Sequence, residues 1–206
     1  MSNDSAALKL INGILSHGVD GLGPMSSSTE LVQEYRSDSA YSSKSEIVTG
    51  MIRWETSKNF GSGFVAGCGG LITLPIAIPA ALYATWFVQA RLSGAIAHTY
   101  GHNVKSDRIR TFILLSLIGD SGKEILKQAG IQIGNKLAMN VVKQIPGKVL
   151  IEINKKIGFR LITKAGEKGV INLTKMIPIV GGFVGGGFDA FSTNAVGHIA
   201  KTIFKR

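Results

Sequence analysis

The chain has 206 residues and a net charge of +10, with only 17% charged side chains against the roughly 25% usual in soluble domains. That length suits one domain with its own hydrophobic core, and the small charged share tilts the chain towards a membrane or a large partner. The single cysteine, Cys68, excludes an internal disulfide framework and points to a reducing compartment.

In chain order, MSNDSAALKLINGILSHG has an acidic head and an apolar stretch broken by Asn12 and Gly13, so it does not read as a secretory signal. Leu8, Ile11, Ile14 and Leu15 share one face of an amphipathic helix predicted from Ser5 to Ser16. GVDGLGPMSSS follows as a loop. Ser28 or Thr29 is expected to cap a second helix that runs to Arg36, with Glu30 in its first turn. A third helix is predicted from Ser43 to Asn59, carrying Ile47, Met51, Ile52 and Trp54. Residues 1–40 read as N-terminal helices and loop, and 41–206 as the main helical domain, the two forming one compact unit.

Between Lys58 and Arg91, 32 residues carry no charged side chain. A helix of about 28 residues would exceed the roughly 30 Å hydrocarbon core of a bilayer. Pro75 and Pro79 argue against one straight span and for two shorter helices meeting near them. Three readings stay open: a buried hairpin in a soluble domain, a re-entrant or interfacial element, and a true crossing.

Beyond Arg91 the pattern is helical to Tyr100, stops at Gly101 and restarts near Ser106 or Asp107. Val149, Leu150, Ile153 and Ile157 then share one helix face, with Lys148, Glu152, Lys155 and Lys156 on the other. Gly158 and Gly169 read as helix ends or breaks. Between Lys175 and Lys201 the only formal charge is Asp189. Gly63/Gly67, Gly181/Gly185 and Gly182/Gly186 have the four-residue spacing that lets helix backbones approach closely. The expected fold is all-α, a single glycine-rich helical domain. Two apolar kinked helices or helical hairpins pack on each other at its centre.

Several motifs suggest chemistry that their context does not support. GDSG at Gly119–Gly122 echoes a serine-protease nucleophile, but no placed His and Asp accompany it, and it reads better as a helix stop before a new cap. GSGFVA at Gly61 and GGGFDA at Gly185 lack the strand that a dinucleotide fingerprint follows. His98 and His102 form a weak candidate metal pair, which Gly101 is expected to break. No catalytic residue and no cofactor is assigned. Asp189 is the strongest single functional candidate, because a carboxylate in an apolar helix is costly unless paired or neutral. Arg91 and Arg108 are its candidate partners.

From Ser121 to Lys175, eleven basic residues face three acidic ones, a net charge of +8. Such a half suits anionic lipid, where each nearby cation contributes about 1 kcal/mol. Nucleic acid is the competing partner, disfavoured because Phe159 is the only aromatic residue among those charges. Lys148, Lys155 and Lys156 are the expected lipid-facing cations.

The order SGFVAGCGGLITLP, QARLSGAIAHTYGHN and IPIVGGFVGGGFDAFSTNAVGHIA resembles the bacterial EcsC family over roughly residues 15–206. Trp54, Lys58, Gly67, Gly70, Leu74, Pro75, Arg91, Tyr100, Gly101, Pro178, Gly181, Gly185, Gly197 and Ala200 fall where that pattern wants them. An acidic residue common in the family after Leu-Pro is replaced here by Ile76, Ala77 and Ile78, so no role is carried over for it. The resemblance implies a location on the cytoplasmic side of the bacterial inner membrane, peripheral or re-entrant. It also brings in a membrane protein or transporter as partner, and Arg91 and Tyr100 beside Asp189 as functional candidates. The function expected is a non-enzymatic membrane-associated accessory or lipid-surface-binding protein. The alternatives are an enzyme acting on lipid or another amphiphile, with Asp189 and a His as acid–base residues, and a soluble helical interaction module, including a homo-oligomeric one.

Overall fold

Glycines with positive φ close off the helices at Gly21, Gly101, Gly119 and Gly130. The computed structural model describes residues 3–21, 26–58, 78, 80–131, 139–173 and 181–205. Among these the regular structure is all helical, with no strand. Helix α1 spans Asn3–Ile14 and runs on through a π-helical turn, Leu15–Val19. Then come α2 (Ser28–Ser37), α3 (Lys44–Lys58), α4 (Ala80–Thr99), α5 (Asp107–Ile118) and α6 (Ser121–Gln128). The short α7 (Met139–Gln144) precedes the two long helices α8 (Gly147–Leu173) and α9 (Gly181–Phe204).

The first correction to the sequence reading is at α2. Its cap is Ser27, one residue before the expected Ser28: Glu30 N donates to Ser27 Oγ at 3.2 Å, and Ser27 N donates to the Glu30 carboxylate at 2.7 Å. Ser28 is unavailable because its hydroxyl is buried and donates to Val19 O at 3.0 Å. The reciprocal bonds satisfy two donors that the helix start would otherwise leave open.

Helix α4 is the hub, packing against α1, the π turn, α2, α3, α5 and α9. It buries Tyr83, Trp86, Phe87, Leu92 and Ile96, the large side chains that fill the centre. It begins at Ala80, just past the second proline; the first of the two shorter helices expected around the prolines lies outside the described residues. Its other end closes as expected. Gly101 takes φ +87°, Gly101 N donates to His98 O at 2.9 Å, and His102 N reaches back to Ala97 O at 3.0 Å.

Side-chain contacts fix the directions. Gln89–Ser192 and His102–Phe204 set α9 parallel to α4. Thr49–Lys201 and the approach of Gly197 to Ile52 set α3 antiparallel to α9. Asp4–Lys155 and Ala7–Gly158 run α1 along α8 in the same direction.

The second correction concerns Gly158 and Gly169, which lie inside α8 rather than ending it. At Gly158 the reason is packing: an added Cβ would sit 2.6 Å from Ala7 O, so α1 crosses where only a glycine leaves room. Close packing more than offsets the roughly 0.5–1 kcal/mol that an interior glycine costs a helix. Close helix approach thus occurs at Gly158 and Gly197. Gly63 and Gly67 lie outside the described residues. Gly181, Gly185 and Gly186 fall in the first turns of α9, and what they meet also lies outside that description. The expected mutual packing of the two glycine-rich segments lies mostly outside the described residues; among those described, α4 and α9 form the most extensive helix pair.

Among the described residues, no helix is long and apolar enough to cross a membrane. Among the described residues three large apolar side chains stand out of the core: Trp54 (49% exposed), Ile151 (50%) and Phe191 (74%).

Candidate functional site

Arg91 on α4 reaches Glu55 on α3, Nη2 to Oε2, at 2.5 Å, and its Nη1 donates to Ser26 Oγ at 2.9 Å. Tyr35 Oη on α2 donates to the other Glu55 oxygen at 3.1 Å. Glu55 is only 2% exposed, so its charge is held by these partners rather than by water. Burial, and then the Glu55 charge, push the Tyr35 phenol well above its ordinary value and keep it a donor. Bonded to the Arg91 guanidinium and the Tyr35 phenol, the Glu55 carboxylate ties α2, α3 and α4 together. Sequence reasoning missed Glu55, although it lies three and four residues past Ile52 and Met51, in phase with the buried stripe of α3.

The other sequence candidates are scattered. Arg108 Nε donates to Ile145 O at 3.2 Å, so both arginines considered for Asp189 have partners elsewhere. Asp189 lies in α9, and its side chain is outside the described residues. The Tyr100 hydroxyl is buried with no hydrogen-bond partner among the described residues, and burial raises its pKa. His98 is half-buried on α4, where burial and then Arg36 lower its pKa and favour the neutral ring. His102 lies beyond Gly101, and its Nε2–H donates to Phe204 O at 2.9 Å. No group of three metal-ligating side chains occurs among the described residues.

The expected basic face is partly assembled. Lys148 is exposed on α8, with no ion-pair or hydrogen-bond partner among the described residues. Lys156 Nζ donates to Gln128 Oε1 of α6 at 3.1 Å. These two lysines border a groove of about 360 Å³ floored by Ala129, Val149 and Ile153. Lys155 differs: it is half-buried, holding Asp4 of α1 at 3.0 Å and Glu152 at 3.3 Å, and those hydrogen bonds raise its pKa. It pins α1 to α8. Lys127, Lys143 and Arg160 add exposed positive charge on α6, α7 and α8. Ile151, missed by the sequence reading, projects half-exposed one turn beyond Lys148.

The EcsC protein family model matches residues 30–206, from the first turn of α2 to the end of the chain. The chain belongs to the EcsC family. No curated protein and no solved structure matches it. The EcsC match contains the Tyr35–Glu55–Arg91 tie and the whole basic face. Several residues that carry the EcsC resemblance have plain structural duties here: Arg91 in the tie, Gly101 at the end of α4, Gly197 against Ile52, and Ala200 fully buried.

Proposed function

We propose that this EcsC protein is a non-enzymatic accessory that rests peripherally on an anionic membrane surface, with the α6–α8 face towards the headgroups. In a bacterium that surface is the cytoplasmic side of the inner membrane. A membrane protein or transporter, or a second copy of the chain, would meet it there. The observation that carries the reading is the pairing of Lys148, exposed and with no partner among the described residues, with the half-exposed Ile151 one turn along α8. Cations near an anionic leaflet contribute about 1 kcal/mol each, and an apolar side chain among them can enter the headgroup boundary. Lys127, Lys143 and Arg160 extend the same charge. Lys155 is not part of this surface, since its ammonium is spent on Asp4 and Glu152.

Co-sedimentation with vesicles tests the reading. The protein should pellet with phosphatidylglycerol-containing vesicles and not with phosphatidylcholine alone. Binding should weaken as salt shortens the screening length from roughly 10 Å at 0.1 M to 3 Å at 1 M. Lys148→Gln combined with Ile151→Asn should release it. Equal pelleting with neutral vesicles, or a double variant that binds like the parent, would contradict the proposal. Tight DNA binding that the same variant abolishes would favour the nucleic-acid alternative.

A further inference from the structure

Along α8, Lys148, Glu152 and Lys156 follow one another at four-residue steps, so a carboxylate stands between two ammonium groups in a single row. A helix rises about 1.5 Å per residue, which puts the two lysine Cα atoms roughly 12 Å apart with Glu152 midway. All three side chains border the same groove, with Gln128 of α6 on its other side. Neither ammonium is ion-paired among the described residues. Lys148 has no partner there, and Lys156 donates to the uncharged Gln128 Oε1. Lys155 Nζ meets the Glu152 carboxylate at 3.3 Å, and Glu152 remains largely exposed.

This order of charges selects among anions. A single phosphate centred in the row would meet the Glu152 carboxylate at close range and be repelled. Two phosphates set apart, one towards each lysine, avoid that repulsion, and the flexible four-carbon lysine stems can lean inwards to meet them. Between such phosphates the carboxylate calls for a donor, and a hydroxyl supplies one through a short charge-assisted bond. The apolar floor of Ala129, Val149 and Ile153 suits the carbon bridge that would carry that hydroxyl. Basic pockets at membrane surfaces recognise lipid headgroups of this doubly phosphorylated kind. We infer, resting on the membrane-surface reading above, that the groove takes the headgroup of a lipid with two phosphates joined by a hydroxyl-bearing three-carbon bridge. One phosphate lies at Lys148, the other at Lys156, and the bridge hydroxyl donates to Glu152. Cardiolipin has this chemistry, whereas phosphatidylglycerol brings one phosphate per headgroup and fills only half of the row.

Vesicles of cardiolipin in phosphatidylcholine, set against vesicles holding twice as much phosphatidylglycerol, present the same amount of phosphate. The protein should bind the cardiolipin vesicles about tenfold more tightly, the scale of one charge-assisted hydrogen bond. A cardiolipin analogue whose bridge lacks the hydroxyl should lose that margin, an arm that needs no variant protein. Glu152→Ala should remove the margin as well, while binding to phosphatidylglycerol holds or rises because a repelling charge has gone. Lys156→Gln should bring cardiolipin down to the level of phosphatidylglycerol. Equal binding of the two lipids by the parent would overturn the inference and leave the membrane-surface reading standing. So would a margin that survives loss of the bridge hydroxyl, or one that survives Glu152→Ala in protein shown folded by circular dichroism. Pelleting with neither anionic vesicle would remove the membrane-surface reading itself, and the headgroup assignment with it.

Discussion

The α2–α3–α4 interior and the α6–α8 face use the same kinds of side chain in opposite ways. In the interior, Glu55 and Arg91 meet at 2.5 Å, Tyr35 and Ser26 take up further bonding positions, and almost none of Glu55 reaches water. On the face, Lys148 extends into solvent with nothing among the described residues to answer it, and an isoleucine stands half-bare beside it. Burial decides which is which. An enclosed charge has to be answered within the fold, whereas an exposed one can remain available to a partner. Lys155 shows how narrow the boundary is. It follows the half-bare Ile151 by one helical turn, yet Asp4 and Glu152 claim its ammonium and make it part of the scaffold.

The sharpest way to break this comparison is to remove one member of the interior tie. Glu55→Ala leaves Arg91 and Tyr35 without their shared acceptor and should cost about 3 kcal/mol in urea unfolding, without changing vesicle binding of the folded fraction. A loss below about 1 kcal/mol would place that pair among ordinary surface contacts. Next in size is Gly158→Val, which drives a side chain into Ala7 of α1 and should cost about 1–3 kcal/mol on the same measurement. A neutral result would mean that α1 does not hold to α8 as described.

Smaller effects sharpen the contrast. The folded protein disfavours protonated His98, so its stability is complete above the ordinary histidine value of 6.5. As pH falls through 6.5 the unfolded chain takes the proton first, and stability declines. His98→Gln should flatten the His98 share of that decline, seen as a smaller drop in thermal midpoint between about pH 7.5 and 5.5. An identical pH profile would show that the ring is not held neutral by burial and Arg36. Smallest of all, Lys148→Gln should leave stability within about 0.5 kcal/mol of the parent while weakening vesicle binding. A clear loss of stability would make Lys148 a scaffold residue like Lys155.

Much of the helical outline could be read directly from the sequence. Gly101 and Gly119 stop helices where expected, and Asp107 starts the next one, because those signals act through local backbone geometry. What tertiary contacts decide was harder to read. Gly158 looks like a helix end until α1 is laid across it, and Ser28 looks like a cap until its hydroxyl is seen bound to Val19 O. Arg91 was legible as a functional candidate, but its partner Glu55, 36 residues earlier, was not. The basic half was visible as composition, yet which lysines stay free depends on the crossing of α1 and α8 that captures Lys155. Ile151 and Phe191 are residue types usual in a core, and only packing shows them projecting outward.

The most direct test of the central claim reads the environment of Ile151 itself. In a Cys68→Ser background, an environment-sensitive fluorophore on Ile151→Cys should shift to the blue and resist aqueous quenchers when phosphatidylglycerol vesicles are added. The same label on Gln33→Cys, at an exposed position of α2, should not respond. A label at 151 that stays in water while the protein pellets with the vesicles, or an equal response at 33, would contradict membrane docking through the α6–α8 face.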